Sequence, residues 1–160
     1  MRSLQKFRDK DAFTLVELLI TIAIILIIAV AAIPIYGNLQ VTSQLNESSS
    51  QIIQAIRIAR ERSVAGLNNS RHGVYLEINT DAADKYILYQ GSTYASRQTD
   101  YDLEVTLDNP LTLSTTLTGS EVNFITGSGV ASSTGIITLT HDTGGTRTIS
   151  INSMGAVEED

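Results

Sequence analysis

The hydrophobic pattern changes period twice along the chain. Residues 13–35 are almost unbroken Leu, Ile, Val and Ala, densest over residues 18–33, and no charged side chain falls between Leu18 and Asn46. At 1.5 Å per residue a helix over residues 13–35 is about 34 Å long, enough to cross a hydrocarbon core of about 30 Å. From residue 45 the apolar positions recur every three or four residues. Leu45, Ser49, Ile52, Ile56, Ala59 and Ser63 form a stripe, with Arg57, Arg60 and Glu61 largely off it. Gly66 followed by Asn68-Asn69-Ser70 predicts a stop. One long, bent helix from Phe13 to about Ala65, roughly 80 Å in all, is therefore expected.

From His72 the period becomes two. Val74, Leu76 and Ile78 alternate with Tyr75 and Glu77, and further strands are predicted at residues 85–90, at Leu103/Val105/Leu107, at Leu111/Leu113 and at Val122/Phe124. Ile137/Leu139 and Ile149/Ile151 predict two strands joined at Asp142-Thr143-Gly144-Gly145. Residues 127–135 and 95–100 read as loops. One helix followed by strands alone is an α+β arrangement, with an antiparallel sheet burying its apolar face on the helix stripe.

Charge sharpens this division. Residues 1–12 carry a net +2 and residues 37–160 a net −7, within a total of −6. A basic start, an apolar run and an acidic remainder predict a single-pass membrane protein with its bulk exported, since positive charge stays on the cytoplasmic side. The expected divisions are a basic leader (1–12), a transmembrane helix (13–36) and an extracytoplasmic α+β head (37–160), helical to about 66 and stranded over about 72–157. A helix buried in a protein core would need more chain around it than remains. A secretory signal peptide, cut near Ala31-Ala32, and a plain signal anchor are the competing readings. With no cysteine, disulfides and thiolate metal sites are excluded.

Glu17 separates these readings. A carboxylate inside an apolar run costs several kcal/mol unless it snorkels to the head groups or finds a positive partner. The run Ala12-Phe13-Thr14-Leu15-Val16-Glu17-Leu18-Leu19-Ile20, continuing to Ala31-Ala32-Ile33-Pro34, resembles the signal of type IV prepilins and type II secretion pseudopilins. The resemblance implies that a prepilin peptidase cuts between Ala12 and Phe13 and that the new amine of Phe13 is methylated. It implies that Glu17 pairs with the N-terminus of a neighbouring subunit, and that Pro34 distorts the helix. Other pilin or pseudopilin subunits and an inner-membrane assembly platform are the implied partners, and a filament the destination. The chain departs from the family at Ala12, where Gly is usual, and at Leu26, where Gly is frequent.

The remainder resembles the GspH/FimT family of minor pseudopilins and minor pilins in residues 55–63 (AIRIARERS), in Val122-Asn123-Phe124, in residues 135–139, and in residues 149–157. That implies a structural subunit rather than an enzyme, and no cofactor. No His pair has metal-ligand spacing, and His72 and His141 are expected as solvated strand-edge residues. Asn79, Asp81 and Asp84 in one loop, and Asp100 and Asp102 in another, match no calcium loop and read as polar turns. The alternative is a minor pilin of a DNA-uptake or adhesion pilus whose head binds DNA or a surface. Arg57, Arg60, Arg62 and Arg71 could form a small basic patch for it. The head's −7 charge and the acidic ending Glu158-Glu159-Asp160 speak against nucleic acid.

Overall fold

One long helix forms over nearly the expected residues, and strands follow it in the expected order. The structure is a computed structural model describing residues 13–159, with residues 31–35 by backbone alone; the leader, Ala12 included, lies outside the described residues. Helix α1 spans Leu15–Val64, and its helical assignment passes through Pro34 without a break. It stops at Gly66, which takes a left-handed φ of 65°. Asn68 and Asn69 follow with φ of 54° and 48°, values that Asn tolerates better than most side chains. The chain divides into two compact units at Leu39/Gln40.

In the first unit, the large apolar side chains of residues 13–30 stand exposed, from 46% at Ile22 to 80% at Phe13. Among the described residues no helix is long and apolar enough to cross a membrane. The apolar helical stretch with described side chains covers residues 15–30, about 24 Å, and the sequence continues apolar to Ile35.

The second unit, Gln40–Asp160, carries the strands β1 (His72–Glu77), β2 (Lys85–Gln90), β3 (Leu103–Thr106), β4 (Leu111–Thr115), β5 (Glu121–Phe124), β6 (Gly135–His141), β7 (Thr146–Ile151) and β8 (Val157–Glu159). They divide into two four-stranded antiparallel sheets, ordered β3-β2-β1-β5 and β4-β6-β7-β8. Period-two alternation identifies strands but not this partition. The α1 stripe is fully inside: Leu45, Ser49, Ile52, Ile56, Ala59 and Ser63 are all at most 2% exposed. It shares one core with Val74, Leu76, Leu88 and Phe124 of the first sheet and Leu113, Ile137, Leu139 and Ile149 of the second.

Three features depart from the sequence reading. The strands run past 157, and Glu158 and Glu159 lie in an edge strand: Ile149 pairs with Glu159 and Ile151 with Val157, and Ser49 Oγ donates to Glu159 Oε1 at 2.6 Å. His72 is 2% exposed, because β1 lies between β2 and β5 and because Ser63 Oγ accepts its backbone amide at 2.8 Å. His141 is 6% exposed, held beside Gln44 with Nε2 and Oε1 at 3.0 Å while the turn after it closes on Nδ1.

His72 has a consequence for pH. Burial, then the charge of Arg62, lower its pKa from 6.5, against smaller opposing bonds to Gln90 and Ser70. Its Nδ1 is buried without a hydrogen-bond partner. The folded head thus resists protonating His72 more than the unfolded chain does, so its contribution to stability is intact above pH 6.5 and is lost as pH falls below it. Urea unfolding between pH 8 and pH 5 should show the midpoint falling over the acid half of that range. In His72→Gln the fall should be shallower; an equal fall would remove His72 as its cause.

Candidate functional site

The exposed N-terminal turn of α1 is organised by Glu17 and Thr14. Glu17 Oε2 accepts the backbone amide of Thr14 at 3.2 Å and its hydroxyl at 3.1 Å. Thr14 Oγ1 in return accepts the amide of Glu17 at 3.2 Å. This is a capping box, with Thr at the cap and Glu three residues on, each side chain satisfying an amide that the first turn leaves without a helical partner. The sequence carried its signature, Thr14-Leu15-Val16-Glu17, but the unusual carboxylate drew the reading toward an intermolecular partner instead.

The same economy holds further along. Thr14, Glu17 and Thr21 are the polar side chains of residues 13–30. Thr21 Oγ1 donates to the carbonyl of Leu18 at 2.9 Å, so each of the three has a partner within one turn. Unpaired polar groups in hydrocarbon cost several kcal/mol each, and local bonds of this kind remove that cost. A helix this apolar, with its few polar groups bonded internally, suits apolar surroundings.

The box also fixes where the Glu17 charge sits. It lies against the amide of Thr14, one residue from Phe13. Negative charge at a helix N-terminus is favoured by the helix dipole, by about 0.3–1 kcal/mol at an exposed site. A positive group arriving at the start of the helix would therefore meet a carboxylate already oriented.

Elsewhere the candidate residues take structural roles. Asp84, from the loop read as a polar turn, is 3% exposed; its Oδ1 accepts the amide of Asn79 at 2.6 Å and its Oδ2 the amide of Leu113 at 2.6 Å. Asp102 pairs with Arg97 at 2.7 Å, and Arg97 lies 3.8 Å over the ring of Tyr94, which itself stacks on Tyr75 at 3.7 Å. That stack pins residues 91–102 to the outer face of the first sheet. Among the described residues no cluster of His, Asp and Glu is placed to hold a metal ion.

The chain matches the family described as the prokaryotic N-terminal methylation motif over residues 7–33. This match supports a type IV pilin-like prepilin, a class that works as structural subunits associating with other pilins and with the prepilin peptidase. No curated protein and no solved structure matches the chain.

Proposed function

We propose that this chain is a minor pseudopilin or minor pilin of the GspH/FimT kind, a structural subunit of a type II secretion pseudopilus or type IV pilus. The observation that carries the proposal is the helix of residues 15–30, exposed and apolar but for Glu17 and Thr21, with Glu17 oriented at its start. In this reading residues 13–35 first span the inner membrane once, with the head outside the cytoplasm. The basic leader stays on the cytoplasmic side. A prepilin peptidase cuts between Ala12 and Phe13, and Phe13 is N-methylated.

Cleavage would create a positive amine one residue from the Thr14 amide that Glu17 holds. Opposite charges attract far more strongly in an apolar medium than in water, so the carboxylate of one subunit can select the register of the next. Pro34 lacks the amide that would close a helical hydrogen bond, which lets the helix bend where it leaves the membrane. The assembly platform then passes subunits from membrane to filament.

The intact mass of the chain isolated from membranes tests the processing step. The expected mature chain begins at Phe13 and carries one added methyl group. A chain that retains Met1, or one cut after the Ala31-Ala32 pair as a secretory signal would be, removes the proposal. Ala12→Gly should raise the processed fraction, because Gly is the residue usual before this cut.

A further inference from the structure

The outer strands of the two sheets end differently. The free side of β5 is covered: Phe124 bridges to Ala131, and Ser132 exchanges hydrogen bonds with the backbone of Asn123. On β4 the outward amide of Leu113 is taken by Asp84, and β8 carries the charges of Glu158 and Glu159. β3 has no such cover. It pairs only with β2, and Leu103-Glu104-Val105-Thr106 contains neither Lys, Pro nor a bulge, the devices that commonly guard an edge. Its one charge, Glu104, is matched by Lys85 at 2.8 Å. The phase of the edge is fixed. Leu107 donates its amide to the carbonyl of Asp84 at 2.8 Å, and the register places the two opposite each other. Leu103, Val105 and Leu107 therefore bond to β2, while Glu104 and Thr106 turn their amides and carbonyls outward.

Beside this edge runs a groove against α1. One end is apolar, lined by Ala55 and Ile58 of α1 and by Leu88, Leu103 and Val105 of the sheet. Leu103 stands opposite Leu88 on the core side, yet it is 56% exposed and Leu88 only 2%. The other end is acidic, lined by Glu47 and Asp108 with Gln44 and Thr106, and Gln51 borders both ends. Glu47 and Asp108 are exposed and form no ion pair among the described residues.

We propose that this edge binds an extended peptide of another protein, which adds to β3 as a fifth, antiparallel strand of the first sheet. Main-chain bonds to Glu104 and Thr106 supply affinity, and pockets for alternate side chains supply specificity. Every strand pair of the head is antiparallel. An antiparallel peptide starts beside Asp108 and ends beside Leu103, so its chemistry is ordered. It carries Lys or Arg opposite Leu107, then apolar residues opposite Val105 and Leu103, each separated by one residue. The unpaired carboxylates select the basic end, and Leu103 and Ile58 cover the apolar one. Within this chain that order occurs at Lys85–Tyr89 and Arg147–Ile151, and both segments are strands already paired on both sides. A folded second copy therefore has no such segment to offer. The site lies wholly in residues 44–108 and does not depend on the filament reading.

Fluorescence anisotropy of the purified full-length chain in a non-ionic detergent, read against detergent alone, tests it. The probe is a fluorescein-labelled, acetylated peptide, Lys-Thr-Val-Thr-Val. It should bind saturably, and the reversed peptide Val-Thr-Val-Thr-Lys about tenfold more weakly. Thr106→Pro removes one outward amide and should weaken binding about tenfold. Leu103→Ser, at the apolar end, is the second variant and should weaken it too. Glu47→Gln should flatten the dependence of binding on salt. All three positions are exposed, so thermal unfolding should stay within a few degrees of the wild type. The proposal is overturned if the probe does not bind, if both Thr106→Pro and Leu103→Ser bind it as the wild type does, or if the reversed peptide binds equally well. It is also overturned if the chain self-associates in sedimentation, Thr106→Pro abolishes that, and no peptide competes, because the occupant is then a second copy.

Discussion

Glu17→Ala is expected to leave membrane insertion intact and to abolish incorporation into filaments. Removing a carboxylate from an apolar run makes insertion easier, so a loss of assembly cannot be a loss of insertion. The structure adds a complication, because Glu17 also closes the capping box with Thr14. Loss of a cap costs about 1 kcal/mol and frays the first helical turn, which could impair assembly without any intermolecular charge pair. Two further variants separate the roles. Thr14→Ala breaks the box and keeps the charge, so it should still assemble. Glu17→Gln keeps an oxygen to accept the Thr14 amide and loses the charge, so it should fail as Ala does. Filament incorporation, read by shearing and blotting beside a membrane fraction, gives the answer. Normal incorporation of the Gln variant would end the pairing role and leave Glu17 as a cap.

The fold was legible wherever burial imposes a period. Leu45 to Ser63 recur at helical spacing because one face of α1 meets the core, and all six are buried. The alternation at Val74/Leu76 and Ile137/Leu139 is equally clean, because each strand has one face inside. Sheet membership has no such signal. β3 and β4 are separated by a short turn yet belong to different sheets, and only long-range pairing decides that. β8 was hidden for the same reason: Val157-Glu158-Glu159 has no apolar alternation, and its place comes from β7's open edge. The histidines failed differently. A polar residue at a strand's end reads as solvated, whereas His72 is covered through its neighbour Ser63 on α1 and His141 through Gln44. The candidate site shows the opposite balance. Its key residue, Glu17, stood out by being charged in an apolar run, and what stayed hidden was its local partner.

Asp84→Ala should destabilise the head by about 4 kcal/mol, as much as truncating a core side chain. Asp84 sits just before β2, and its two carboxylate oxygens hold two different parts of the fold. One accepts the amide of Asn79 and so closes the loop between β1 and β2. The other accepts the amide of Leu113 in β4, which belongs to the second sheet, while the Asp84 carbonyl accepts the amide of Leu107 at 2.8 Å. Bonds to a charged acceptor contribute about 1.5–3 kcal/mol each, and removing the acceptor leaves buried amides unsatisfied. A loss of that size lowers the midpoint of thermal unfolding by about 10 °C or more in a domain of this length. Asp84→Asn should recover little, because its amide group presents a donor to at least one of two donors. Asp81, exposed in the same loop, is the control, and Asp81→Ala should fall within about 0.5 kcal/mol of the wild type. The buried rings of Tyr86 and Tyr89 give a near-ultraviolet dichroism signal for the transition. If Asp84→Ala unfolds beside Asp81→Ala, the two sheets are held by their shared apolar core alone. If it unfolds well below, this loop acid, which reads as a surface turn in the sequence, is the polar fastening between them.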